Sequence, residues 1–200
     1  HPDEAIRKQK QGLVDLLTPV VKAWSTDTGI EVANTGIQVL GGAGFIEESG
    51  APQFLRDVRI AAIYEGTNGI QANDLINRKV AREKGVSAKV LIAAMREFLD
   101  SLAGADGEDL SAIRDALAKG VDALEGATDW IVATHARDAE AVAAGAVPYL
   151  RLMGVVTGGW LMAQAALAAE RRLADGTDDA PFLTDKIVTA RFYADQILIQ

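Results

Sequence analysis

In the second half of the chain apolar residues return every three or four positions, and this spacing restricts the fold to helices packed on helices. Leu110, Ile113, Leu117, Val121 and Leu124 are separated by 3, 4, 4 and 3 residues. All five therefore lie on one face of a helix with about 3.6 residues per turn. Leu91, Met95, Phe98 and Leu102 repeat the pattern one helix earlier. Nothing reads as a sheet. Alanine, which costs least in a helix, occurs 35 times in 200 residues, and proline only 5 times. The expected fold is all-α: a helical bundle over residues 1–86, then a second set of antiparallel helices over 87–200.

Local signals set the expected boundaries. Ile6, Leu13, Leu16, Leu17, Val20, Val21 and Trp24 have helical spacing, and Thr18-Pro19 predicts a restart or a kink within them. A separate helical segment is expected over 27–40, ended by Gly41-Gly42. The turn at 49–52 leads into a short helix to residue 59. Thr67 or Asn68 caps a helix reaching residue 84, where Gly85 stops it. Further helices are expected over 128–144, 148–174 and 182–198, with loops at 103–109 and 175–181. Gly154, Gly158 and Ala163 are small enough to let a neighbouring helix come close.

Charge and composition exclude several functions. The formal charge is −8. Residues 1–100 hold 12 basic against 13 acidic groups, and residues 101–200 hold 8 against 15. Without a basic stripe, neither nucleic acid nor an anionic membrane surface is an expected partner. The chain has no cysteine and 2 histidines, so disulfides, thiolate chemistry and a metal site are not expected. Residues 152–169 carry no charge, but their glycines, alanines, Thr157 and Gln164 suit a buried helix better than a membrane span. His1 to Glu4 do not make a signal peptide. A cytoplasmic piece of a longer protein is expected. His135 is expected mid-helix as a packed or surface residue, His1 as a loose chain end, and Asp178-Asp179 as solvated surface. Trp24, Trp130 and Trp160 are expected to be core or interface anchors.

Two segments remain as candidates for chemistry. Gly41-Gly42-Ala43-Gly44 lacks both the third glycine of a dinucleotide fingerprint and the Gly-Lys-Ser/Thr of a Walker loop. It reads as a helix terminus where another backbone or a ligand can approach. Glu65 follows Ile63-Tyr64 and precedes a helix start. Desolvation by these two neighbours would make its carboxylate a better base. Gly66 permits close approach, and Thr67 sits where helix N–H groups receive oxygen-rich groups. The residues alone leave a second reading open, in which Glu65 simply complements the helix dipole.

Gln38-Val39-Leu40-Gly41-Gly42-Ala43-Gly44-Phe45, then Leu55-Arg56-Asp57-Val58-Arg59, then Ile63-Tyr64-Glu65-Gly66-Thr67-Asn68-Gly69-Ile70-Gln71, resemble in order and spacing the C-terminal domain of flavin-dependent acyl-CoA dehydrogenases. The resemblance covers roughly residues 1–85. It implies that Gln38, Val39, Leu40, Gly41 and Gly42 meet the adenine-dinucleotide end of FAD, typically FAD held by a neighbouring subunit. It implies that Glu65 is the catalytic base, that Glu65 and Gly66 contact the thioester, and that Thr67, Asn68 and Gly69 meet FAD. Gly69 departs from members with glutamine there, so that contact is missing or made by Asn68. The implied reaction converts an acyl-CoA to the trans-2-enoyl-CoA by α-proton removal and β-hydride transfer to flavin. Electron-transfer flavoprotein is the implied electron acceptor and a homo-oligomer the implied assembly.

Residues 87–200 resemble the additional helical domain of a larger subgroup that includes 3-methylmercaptopropionyl-CoA dehydrogenases, through placement, helical pattern and the stretch Ala127-Thr128-Asp129-Trp130-Ile131-Val132. The resemblance implies that the family's N-terminal and middle domains are absent from these 200 residues, so the chain alone is expected to be inactive. The alternative expectation is a non-catalytic helical oligomerisation or interaction module that keeps the fold.

Overall fold

Helix α1 runs from Glu4 to Leu40, 37 residues without interruption, or roughly 55 Å. A computed structural model describes residues 2–104, 107–176 and 178–199. His1, Ala105, Asp106, Thr177 and Gln200 lie outside the described residues, and with them the expectation for the chain start and part of both expected loops. Asp3 caps α1, its carboxylate accepting from Ala5 N at 2.8 Å and Ile6 N at 3.2 Å. The expected restart at Thr18-Pro19 does not occur, and the expected segments 6–24 and 27–40 are one helix. Thr18 is no cap: its Oγ1 donates back to Val14 O at 2.7 Å. Pro19 is buried beside Leu16 and Val20. Packing on both sides of the proline holds the helix together, outweighing the loss of one backbone hydrogen bond.

Short elements then fold back along α1. These are α2 (Gly42–Phe45), a tight turn at Glu47–Ser49, α3 (Ala51–Arg59) and a second turn at Ile60–Ala62. Val58 lies against Gly29 of α1, where a Cβ would come within 3.1 Å of it. Helix α4 (Asn68–Asp74) continues as a wider π-type turn over Leu75–Ala81, and Gly85 ends the run with φ 74.

Four long helices complete the body: α5 (Val86–Leu102), α6 (Glu108–Thr134), α8 (Ala146–Ala174) and α9 (Ala180–Tyr193), which widens into a π-type turn over Ala194–Leu198. The short α7 (Ala139–Ala144) lies between α6 and α8. Among the described residues no strand forms, as the composition predicts. Helices α5 and α6 run antiparallel: Lys89 pairs with Asp129 and Arg96 with Asp122, both at 2.8 Å, and Arg96 also pairs with Glu125. The expected helix over 128–144 is corrected. Gly126 lies inside α6, exposed, and a helical glycine there costs about 1 kcal/mol. Burial of Leu124, Thr128 and Ile131 on either side carries the helix through it. The break comes at His135, which is the helix end rather than mid-helix, and Asp138 Oδ1 caps α7 by accepting from Ala141 N at 2.9 Å.

The stripe Leu110, Ile113, Leu117, Val121 and Leu124 is buried in full. The α1 stripe is buried less completely than its spacing predicts, since Ile6 and Val21 are exposed. One continuous core joins Leu16 and Val20 of α1, Leu75 and Ile76 after α4, Met95 of α5, Leu117 of α6 and Met153 of α8. Helix α8 is the single described helix long and apolar enough to cross a membrane. Here its Met153, Gly154, Val156 and Ala163 are buried against the other helices. Gly154 admits the Trp24 ring, whose Cδ2 would lie 2.9 Å from an added Cβ, and Gly158 admits Tyr193. Trp160 joins Trp24 in packing, whereas Trp130 is 45% exposed. His135 Nε2 lies 3.0 Å from Asn77 Oδ1 and ties the end of α6 to the turn after α4.

Candidate active site

The segment Glu65-Gly66-Thr67-Asn68 bridges the turn at Ile60–Ala62 and the start of α4. Ile63 N and Tyr64 N both donate to Ile60 O, at 2.9 and 3.0 Å, which closes the turn. The chain then reverses through two successive left-handed residues, Glu65 at φ 55 and Gly66 at φ 84. Glycine is required at 66: the backbone is left-handed, and a Cβ would lie 3.2 Å from Gln71 Nε2. Glu65 has no such freedom, and a left-handed L-residue costs roughly 1–2 kcal/mol. Thr67 caps α4 as expected, its Oγ1 accepting from Ile70 N at 3.4 Å.

Side chains hold the strained turn from both ends. Gln71 Nε2 donates to Glu65 O at 3.2 Å. From the middle of α1, Lys22 Nζ donates to Gly66 O and to Asn68 Oδ1, each at 2.8 Å. Asn68 Nδ2 donates to Asp27 Oδ1 at 2.7 Å, Thr26 Oγ1 at 2.9 Å and Ala23 O at 3.2 Å. Lysine only donates and an ionised aspartate only accepts, so these two neighbours fix which way the Asn68 amide points. Sequence reasoning missed Lys22, Thr26 and Asp27. Their spacing along α1 was a signal, since 22 and 26 share a helix face, but it needed a partner to have meaning.

The Glu65 carboxylate is exposed, and so are Ile63 and Tyr64, at 47% and 53%. The expected desolvation by these two neighbours is thus not present in this chain. What the turn provides is a fixed backbone position for a carboxylate-bearing residue, beside a glycine and a helix N-terminus, with the side chain open to the outside.

Gln38, Val39, Leu40, Gly41 and Gly42 form the far end of α1. Gly41 takes φ 60 and donates its N–H to Gln38 O at 3.1 Å. An added Cβ at Gly41 or Gly42 would meet no atom within 4 Å, and Val39 is 80% exposed. Arg56 clamps Glu47 through two bonds of 2.8 and 2.7 Å, holding the turn after α2 on α3. The same bonds keep the Glu47 carboxyl below its ordinary pKa. Beside this tip an apolar groove of about 530 Å³ runs between Val32, Leu40, Phe54 and Val58. Sixteen residues of one helix separate Gln38 from Lys22, roughly 24 Å. The structure brings Glu65, Gly66, Thr67, Asn68 and Gly69 together, but it does not bring Gln38–Gly42 to them.

Comparison with known proteins places the chain in a family. Residues 3–80 match the family described as acyl-CoA dehydrogenase, C-terminal domain, and residues 91–200 match the family described as acetyl-CoA dehydrogenase C-terminal like. The chain is 42% identical to a 3-methylmercaptopropionyl-CoA dehydrogenase of Ruegeria pomeroyi, over all of this chain and 34% of that protein. It is 33% identical to the broad-specificity linear acyl-CoA dehydrogenase FadE5 of Mycobacterium tuberculosis, over 92% of this chain and 31% of that protein. It is 34% identical to a butyryl-CoA dehydrogenase of Syntrophomonas wolfei, over 96% of this chain and 31% of that protein. The chain thus spans about a third of the length of these relatives. The chain belongs to the acyl-CoA dehydrogenase family, whose C-terminal helical region it matches from end to end.

Proposed function

We propose that this chain is the C-terminal part of an FAD-dependent acyl-CoA dehydrogenase in which Glu65 removes the α-proton of an acyl-CoA thioester, giving the trans-2-enoyl-CoA. The observation that carries this reading is the strained Glu65 turn: an exposed carboxylate sits on left-handed backbone whose two carbonyls are held by Gln71 and Lys22, where glycine would sit with less strain. The Glu65 N–H donates to the thioester carbonyl as enolate character develops, and the carboxylate takes the proton. Gly66 leaves room for the acyl group. FAD, when bound, supplies the acceptor for the hydride from the β-carbon.

The residues present fit that cofactor at two places. Thr67, Asn68 and Gly69 offer a helix start, and Gln38 to Gly42 offer an open, glycine-bearing tip. Their separation supports a homo-oligomer in which the tip serves a neighbour's FAD. An electron-transfer flavoprotein is the proposed acceptor of the electrons. The isolated chain is proposed to be inactive, because water solvates the Glu65 carboxylate and the weakly acidic α-hydrogen needs a drier base.

The test is the flavin spectrum of the full-length protein before and after adding straight-chain, branched and methylmercapto-substituted acyl-CoAs. Bleaching with one of them supports the reading and gives the substrate class. A protein that stays colourless after incubation with FAD contradicts it.

A further inference from the structure

Lys22 has no part in the resemblance that singled out Glu65, yet it is the residue that ties the Glu65 turn to the longest helix of the fold. We propose that Lys22, with Asn68 as its relay, is a positioning residue for the proposed base. This inference rests on the dehydrogenase reading above.

The argument begins with the carbonyls of the turn. Two successive left-handed residues point Glu65 O and Gly66 O away from the regular helix ladder, so side chains must satisfy them. Gln71 takes the first, at 3.2 Å, from within α4 itself. Lys22 takes the second, at 2.8 Å, from 44 residues earlier in the chain. The Lys22 contact is charge-assisted and shorter, and it joins the turn to a different element. Gln71 moves with α4, whereas Lys22 refers the turn to α1.

Asn68 makes this reference rigid. Its Oδ1 accepts from the same ammonium, and its Nδ2 reaches Ala23 O, Thr26 Oγ1 and Asp27 Oδ1. One lysine and one amide thus fix Gly66 and the first residue of α4 against a single stretch of α1, residues 22–27. Glu65 is one bond from the held Gly66 carbonyl's residue and has no buried side-chain contact of its own to define its place. Its position is therefore set by the backbone, and the backbone by Lys22. Misplacing a reacting group by about 1 Å costs on the order of 100-fold in rate.

The test uses Lys22→Met, which keeps the apolar stem and removes the donors, and Lys22→Arg, which keeps donors. Asp27→Ala attacks the same anchor from the other side, by removing the 2.7 Å acceptor of the Asn68 amide, in case Lys22→Met folds poorly. Two readouts are taken on the full-length protein: amide hydrogen exchange of residues 64–71, and the rate of flavin bleaching by saturating acyl-CoA. Lys22→Met is expected to speed exchange in 64–71 at least about tenfold while exchange in α6 and α8 stays as in wild type. The bleaching rate is expected to fall about 10- to 100-fold, with FAD retained, acyl-CoA Kd within about twofold of wild type, and partial recovery in Lys22→Arg. Unchanged exchange in 64–71 overturns the proposal whether or not the protein is active. Faster exchange with an unchanged bleaching rate shows a held loop that positions nothing, and also overturns it. A wild-type protein that acyl-CoA never bleaches removes the dehydrogenase reading and this inference with it, whereas a bleaching wild type with an equally fast Lys22→Met removes the inference alone.

Discussion

Among the described residues, two that are not glycine hold left-handed backbone, Glu65 at φ 55 and Lys84 at φ 53. The pair makes a controlled experiment. Both side chains are exposed. Lys84 closes the helix end before Gly85, where Lys84 N donates to Ala81 O at 3.1 Å and Gly85 N to Val80 O at 2.8 Å. Replacing either residue by glycine relieves roughly 1–2 kcal/mol of left-handed strain. Glycine's greater freedom in the unfolded chain offsets about 0.5–1 kcal/mol of that. Both Glu65→Gly and Lys84→Gly should therefore stabilise by about 0.5–1 kcal/mol, a rise in Tm of about 1–4 °C for a chain of this size. The Gln71 bond to Glu65 O is to the main chain and survives the change. Thermal unfolding of the two variants beside wild type measures the shifts. Similar rises, with flavin bleaching lost only in Glu65→Gly, mean that residue 65 keeps its carboxylate at the expense of stability. A fall in Tm for Glu65→Gly alongside a rise for Lys84→Gly would refute the reasoning, because the Glu65 side chain would then be stabilising the fold.

Other expectations follow from the packing. Thr128 Oγ1 and Tyr149 Oη lie 2.8 Å apart in the core, so Thr128→Val leaves a buried phenol unpartnered and should cost about 1–3 kcal/mol. Adding Tyr149→Phe should recover most of this in a urea-denaturation double-mutant cycle. Burial pushes the Tyr149 hydroxyl up to about 12, with the Thr128 hydrogen bond acting weakly the other way. The folded chain thus keeps a proton that the unfolded chain releases near pH 10. Stability from this group is intact below about pH 10 and falls as pH rises toward about 12, by up to about 3 kcal/mol. Urea midpoints at pH 8 and pH 11 give the sign, and tyrosinate absorbance follows the titration. Gly154→Val drives a methyl-bearing carbon into the Trp24 ring, 2.9 Å from a built Cβ. It should cost about 1–3 kcal/mol and red-shift tryptophan fluorescence.

The helical period of α5 and α6 was readable in the chain because the stripe from Leu110 to Leu124 has one face and one partner set. Breaks were harder to read. Pro19 and Gly126 are local helix breakers by propensity, but tertiary burial on both sides overrides each of them. The opposite failure occurs at Glu65. Its apolar neighbours suggested burial, yet Ile63 and Tyr64 lie on the outside of a turn whose direction is set by two positive φ angles, one of them on a residue that rarely adopts it. Lys22 was not readable as part of the site because its function depends on a carbonyl 44 residues away. Such a contact has no local pattern. Gly41-Gly42 was readable from the residues as the end of α1, whereas the proposed cofactor role of Gln38–Gly42 came only through the resemblance, since this surface carries few partners within the chain.

The central claim is that Glu65 is the base, and the most direct measurement is acyl-CoA-driven flavin bleaching in the full-length protein carrying Glu65→Gln. The amide keeps the size of the side chain and removes the proton-accepting charge. The account predicts a protein that stays yellow, keeps its FAD and binds acyl-CoA, but does not bleach. Bleaching at the wild-type rate would contradict it.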